Sequence, residues 1–247
     1  MTEQNGSPLP PAPPPATESQ SAPAKKHPVP EYLKSVYGGR YFRPFLTKIF
    51  DDDWTAAVAT FFQSGRLTKF VTKEIAEGND VLQLGAASGD FESRIVKKMN
   101  ADGRYVIEDI SPAHIDAMGD RISAFLNAKA VERDFTVPDN ERYDVVVGYF
   151  VLHEMPDFYK RATLERAVSA LKPDGKMIFV DYARPARFHP AKYFISRFNR
   201  LFEPFAESLW HSEIRDFAPE TDDIVWEKKT FFGGMYQGVI ARKARPS

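Results

Sequence analysis

Between residues 81 and 181, short apolar runs alternate with longer stretches whose apolar positions recur at helical spacing. The runs predict strands at 81–84, 104–108, 129–133, 143–149 and 176–181, and most of the intervening stretches predict helices, at 91–100, 112–126 and 158–171. Such alternation predicts a parallel sheet covered by helices on both faces. Ser111-Pro112 supplies a capping hydroxyl and a proline at the first helical position, and Lys172-Pro173-Asp174-Gly175 predicts a turn between helix and strand. Two later runs, 224–231 and 235–242, flank Gly233-Gly234 and predict an antiparallel hairpin. Ahead of the first strand, residues 31–78 read as a helical cap rich in aromatics, among them Tyr37, Tyr41, Phe61 and Phe62, with breaks at Gly38-Gly39 and Pro44.

Composition narrows the partners. The 247 residues suit one domain, and 43% hydrophobic residues suffice for a core. A net charge of −1 gives no global field for nucleic acid. The absence of cysteine excludes disulfides and thiolate chemistry. The longest near-continuous apolar run, 145–152, is far short of the roughly 20 residues needed to span a bilayer. Nine of the 19 prolines fall in residues 1–30, which predicts a disordered, polyproline-like tail.

The candidate chemistry lies where strands end, because ligands of open α/β sheets bind outside the carboxyl ends of the strands. After Val81-Leu82-Gln83-Leu84 come Gly85-Ala86-Ala87-Ser88-Gly89 and then a helix from Phe91, the order of a nucleotide-binding turn in which backbone N–H groups approach the ligand. The second strand leads to Asp109 and Ile110, where an acid can hold ribose hydroxyls. The third ends at Asp134-Phe135, and the fourth and fifth bring Tyr149, His153, Glu154, Asp181 and Tyr182 to the same edge. His153 can serve as a base or metal ligand, and the two acids can orient it or bind metal. The bland alternatives are a structural histidine, a capping Glu154, a pocket-lining Asp181 and packed tyrosines. A stretch at 188–211 combines aromatics with arginines, as a membrane-facing surface, a pocket wall or an ordinary core helix would.

Several segments together resemble one family. They are Pro30-Glu31-Tyr32-Leu33 with Tyr37, Val81-Leu82-Gln83-Leu84, Leu152-His153-Glu154, the run from Val180 through Asp181-Tyr182-Ala183-Arg184-Pro185 to Pro190, Glu203-Pro204-Phe205, and Phe231-Phe232-Gly233-Gly234-Met235-Tyr236-Gln237. In order and wording they are similar to the rhodoquinone biosynthesis proteins, relatives of the ubiquinone and menaquinone C-methyltransferases. The resemblance implies an α/β fold with a seven-stranded, Rossmann-like sheet of the class I S-adenosylmethionine (SAM) methyltransferases, with Asp134 and Phe135 near adenine. It also implies conversion of ubiquinone to rhodoquinone, with a ring methoxy group replaced by an amine drawn from SAM and a divalent metal such as manganese assisting. The implied setting is the cytoplasmic side of a bacterial inner membrane, with peripheral contact. The chain departs from that family at Ala86-Ala87-Ser88, where the family often shows Cys-Val-Tyr, and keeps its Gln83.

In methyltransferases an acid usually stands at the position of Gln83, near the methionine end of SAM, where its charge favours the protonated α-amine. Gln83 removes that charge, which would enlarge the neutral, nucleophilic fraction of an amine whose ordinary pKa is about 7.7 to 8.0. His153 or Asp181 would then remove a proton, and Tyr149, Tyr182 or a metal would stabilise a ring oxyanion. Two other readings stand beside this one: ordinary methyl transfer to a quinone or another small apolar acceptor, and a non-catalytic quinone-binding protein.

Overall fold

A computed structural model of the chain describes residues 30–31, 60–87, 89–138, 140–187, 189–190, 204–220 and 223–243. The proline-rich tail, most of the helical cap and most of the aromatic, basic stretch lie outside the described residues, as does Ser88.

Seven strands form one sheet: β1 (Val81–Leu84), β2 (Tyr105–Asp109), β3 (Ala128–Glu132), β4 (Tyr143–Tyr149), β5 (Leu171–Tyr182), β6 (Ile224–Phe231) and β7 (Tyr236–Lys243). Their order is β3-β2-β1-β4-β5-β7-β6. The first five run parallel, and β7 inserts antiparallel between β5 and β6. This is the α/β, seven-stranded sheet expected of class I methyltransferases. Central β1 is buried throughout, which accounts for its unbroken apolar pattern around Gln83. Edge strand β3 is half-exposed and alternates Ala with Lys and Val with Glu.

Helices α1 (Ser64–Thr72), α2 (Phe91–Met99), α3 (Pro112–Ile122) and α4 (Asp157–Ser169) pack on the sheet, and a short α5 (Ser208–His211) follows β5. The Ser111 hydroxyl accepts the N–H of His114, so the predicted cap of α3 forms. The helix stops at Ile122, short of the expected residue 126, because Phe125 donates its N–H to the Ile122 carbonyl and closes a turn. The Lys172–Gly175 turn is a departure of another kind. β5 already pairs at Leu171, opposite Tyr143, and pairing resumes with Lys176 opposite Val145, so the turn residues bulge out within the strand.

Helix α1 reaches the far side of the sheet. Phe70 packs edge-on to Phe231 at 5.4 Å and fills the space over Gly238, where an added Cβ would meet the ring at 2.4 Å. Among the described residues four phenylalanines adopt left-handed backbone: Phe61, Phe62, Phe150 and Phe232. Phe61, Phe150 and Phe232 join one cluster of packed rings around Tyr236. Bulky residues in this region are uncommon and cost on the order of 1–3 kcal/mol each, and such strain tends to collect at functional sites.

Candidate active site

The turn after β1 depends on two glycines in left-handed conformation, Gly85 at φ 81° and Gly89 at φ 76°. Gly85 also lacks room for a side chain: a Cβ would stand 2.6 Å from Val151 Cγ2 and 3.9 Å from Phe135. The loops after β3 and β4 therefore close directly onto the turn. The first N–H groups of the turn do not face a ligand, contrary to expectation. Ala86 N–H donates to Asp109 Oδ2 at 2.8 Å and Ala87 N–H to Glu92 Oε1 at 2.9 Å. Gly85, Ala86 and Ala87 carry no polar side chain, and neighbouring carboxylates take up the Ala86 and Ala87 donors.

Asp109 ends β2 as the sequence implied. Oδ1 accepts the Ser111 N–H at 2.8 Å, and Oδ2 lies 3.2 Å from His114 Nδ1. Burial raises the carboxyl's pKa, but His114 and the two backbone donors outweigh it, and the net shift is downward. A carboxylate oxygen accepts two hydrogen bonds, so Oδ1 retains capacity for a ribose hydroxyl. Ile110 is buried beside it. Phe135 is buried against the turn, whereas Asp134 binds its own loop, accepting the Thr136 N–H at 3.0 Å and the Thr136 hydroxyl at 2.6 Å.

Gln83 is wholly buried. Its amide donates to the Gly85 carbonyl at 2.9 Å and to Glu92 Oε1 at 3.0 Å, and its Oε1 accepts the Tyr105 hydroxyl. Every polar group of the side chain thus has an internal partner, which differs from the expected position facing an amine of the ligand. Arg121 Nη1 completes the network, donating to Glu92 Oε2 at 3.0 Å and to the Ala87 carbonyl at 3.1 Å. Burial raises the Glu92 carboxyl to about 7, more than the hydrogen bonds from Gln83 and Ala87 lower it, and burial brings the Arg121 guanidinium down to about 10.

The structure brings His153 and Asp181 together. His153 sits on a single helical turn, Leu152–Glu154, after β4, and its Nδ1 lies 3.0 Å from Asp181 Oδ1. Asp181 also accepts the backbone N–H groups of Leu152, His153 and Tyr182 at 2.8, 3.2 and 2.8 Å. Both side chains are buried. Glu154 is half-buried on the same turn.

Aromatic rings surround the pair. Tyr182 lies 4.9 Å from the His153 ring, Phe150 lies 6.0 Å from it, and Tyr236 stacks on Tyr182 at 5.8 Å. Phe232 stacks on Tyr236 and on Phe61, and His189 packs edge-on to Phe232 at 4.7 Å. Tyr149 belongs to the wall nearer the turn. It stacks on Phe91 at 4.1 Å and its hydroxyl shares a hydrogen bond with Thr68, while burial pushes its pKa up to about 12. A phenol held so far above neutrality packs and donates rather than ionises.

Lys160, wholly buried on α4, donates to Asp157, the Phe205 carbonyl and Ser208 at 2.9, 2.9 and 2.6 Å, and so ties the segment after β5 to α4. No metal centre emerges among the described residues: they contain no group of three or more His, Asp or Glu side chains arranged as ligands, and the Asp181 oxygens are taken by the donors above. Tyr105, Glu92 and Arg121 escaped the sequence reading. Tyr105 sits in an apolar run, and an acid early in a helix ordinarily reads as a complement to the helix dipole.

Comparison with known proteins agrees with this architecture. Residues 82–177 match a family described as a methyltransferase domain. A ubiquinone/menaquinone biosynthesis C-methyltransferase of Pseudomonas putida is 26% identical over 155 residues, 58% of each chain. Its counterpart from Idiomarina loihiensis is 24% identical over 119 residues, 45% of each chain. The chain thus spans about half the length of the curated relatives it matches. The fold resembles that of mitomycin 7-O-methyltransferase, with TM-score 0.61, 17% identity, and coverage of 85% of this chain and 61% of that one. It also resembles a SAM-dependent methyltransferase from Aquifex aeolicus, with TM-score 0.53, 19% identity, and coverage of 82% and 100%.

Proposed function

We propose that this chain is a SAM-dependent transferase whose acceptor is a quinone ring. The observation that carries the reading is the His153–Asp181 pair, bordered by aromatic rings and two residues from Val151, which packs on the glycine turn. The matched methyltransferase domain and the quinone C-methyltransferase relatives support the same class of reaction. SAM, when bound, supplies an electrophilic methyl group. Gly85, Gly89 and Asp109 are the residues that would hold it.

The protein's own part is proton handling and orientation. With Asp181 accepting from Nδ1, His153 keeps a lone pair on Nε2 and can take a proton from a ring hydroxyl of the reduced acceptor. The apolar rings of Phe150 and Tyr182 beside His153 suit a stacked ring. Methyl transfer to a quinone or a similar small apolar acceptor is the first reading, because the relatives carry out C-methylation by name.

A second reading is replacement of a ring methoxy group by an amine, the ubiquinone-to-rhodoquinone conversion. Its support is spatial. The segments that resemble rhodoquinone proteins beyond the matched domain, 180–190 and 231–237, meet beside the His153–Asp181 pair. Ala183 and Ala186 donate N–H groups to the carbonyls of Met235 and Gly233, and His189 packs on Phe232. A quinone with an apolar tail resides in a membrane, so this reading includes peripheral contact with a bacterial inner membrane. No described helix is long and apolar enough to cross one.

One experiment separates these readings. The chain is expressed in a ubiquinone-producing host that makes no rhodoquinone, and lipid-extracted quinones are weighed by mass spectrometry. A heavier quinone supports methylation and a lighter aminoquinone supports the exchange. An unchanged pool with soluble protein present overturns both, and failure to bind S-adenosylhomocysteine (SAH) in calorimetry would leave a quinone-binding protein.

A further inference from the structure

We infer that Glu92 is the positioning residue of the glycine turn and carries the carboxylate that position 83 lacks. Its functional meaning rests on the SAM reading above, while its geometry stands in the protein alone. Gly85-Ala86-Ala87 has no polar side chain with which to hold its own shape, so each of its peptide groups is held from outside. Gly85 N–H donates to the Glu108 carbonyl at 2.8 Å, and the Gly85 carbonyl accepts from Gln83. Ala86 N–H goes to Asp109, Ala87 N–H to Glu92, and the Ala87 carbonyl accepts from Arg121. Glu92 joins these anchors: Oε1 accepts from Ala87 and Gln83, and Oε2 from Arg121. The side chain is wholly buried, with no water to replace any of those contacts.

Gln83 and Glu92 therefore form a matched pair, one amide and one carboxylate. An acid at 83 would set its oxygen against the Gly85 carbonyl and bring a second carboxylate within about 3 Å of the first, an arrangement in which both cannot ionise. An amide at 92 would fare no better alone. In one orientation its NH₂ faces the donors Gln83 and Ala87, and in the other it faces Arg121. Exchanging both residues restores one carboxylate and one amide to the site.

The test is a two-by-two set: wild type, Gln83→Glu, Glu92→Gln and the double exchange. Two readouts are taken on the full chain above the Glu92 pKa of about 7, where its carboxylate is ionised: hydrogen exchange of the Ala86 and Ala87 amides without ligand, and the dissociation constant for SAH. Each single change is expected to speed exchange at Ala87 and weaken SAH binding by about tenfold or more. In the Glu92→Gln background, Gln83→Glu should cost clearly less than in wild type. Equal costs in both backgrounds overturn the pairing. Should Gln83→Glu fail to fold, Glu92→Asp keeps the charge and shortens the side chain. It must speed exchange at Ala87 while leaving β4 protected, and unchanged Ala87 exchange overturns the assignment. If wild type does not bind SAH, the SAM reading fails, and the exchange pattern still decides the role of Glu92.

Discussion

Asp181 Oδ1 lies 3.0 Å from His153 Nδ1, and three backbone N–H groups hold the same carboxylate in place. The carboxylate is therefore fixed before the histidine is. A base oriented by an immobilised acid has a defined tautomer, with Nε2 free of the ring proton. Asp181→Asn keeps the size but presents either an NH₂ or a poorer acceptor to Nδ1. Turnover should fall by about 10²–10⁴-fold with little change in SAH affinity. His153→Ala should fall as far, and the double variant no further, because the two act as a unit. Kinetics on a quinone acceptor, with calorimetry for SAH, check this. A loss of SAH binding equal to the loss of turnover would instead mean a structural pair.

Gly85 faces two separate obstacles to substitution, its left-handed backbone and the Val151 methyl 2.6 Å from where a Cβ would be. Gly85→Ala should destabilise the fold by on the order of 1–3 kcal/mol and weaken SAH binding. Adding Val151→Ala removes only the steric part, so recovery should be partial. Denaturant midpoints for the three variants measure the split.

Lys160 ties α4 to the segment carrying Phe205 and Ser208 through three donors. Lys160→Met keeps much of the apolar stem but leaves the Phe205 carbonyl without that donor. A cost of roughly 1–3 kcal/mol is expected. Limited proteolysis should locate new cleavage in 204–211, with the sheet still protected. Uniform destabilisation without local cleavage would remove the tether argument.

The central strands were legible because a sheet buried on both faces writes unbroken apolar runs, and β1 and β4 match their predicted bounds. The meeting of His153 with Asp181 was legible too, since adjacent parallel strands β4 and β5 end at the same edge. The Lys172–Gly175 bulge was not, because Leu171 pairs with Tyr143 through a contact that local turn chemistry does not encode. Gln83 illustrates the other limit. Its oddity was visible in sequence, but its meaning depends on Glu92, Tyr105 and Arg121, which meet only after three elements pack. The aromatic cluster was half visible: Tyr149 and Tyr182 stood out as strand-end aromatics, whereas Tyr236 and Phe232 arrive by way of the β6–β7 hairpin.

The Glu92 carboxyl gives stability a pH dependence of unusual sign. Burial raises its pKa to about 7 from an ordinary 4.5, so between these values the folded protein binds a proton that the unfolded chain has released. Its contribution is fully present below pH 4.5 and is lost as pH rises through about 7. Asp109 works oppositely: its lowered pKa contributes stability above its ordinary value of 3.8, lost on acidification. Because other carboxyls also titrate, the clean quantity is the difference in unfolding free energy between wild type and Glu92→Gln. That difference should shrink by on the order of 2 kcal/mol from pH 4.5 to 7.5. Urea unfolding at half-unit pH steps measures it. If the difference grew with pH, Arg121 at 3.0 Å would be outweighing burial and holding Glu92 ionised, and the proton at this site would have to be struck from the account.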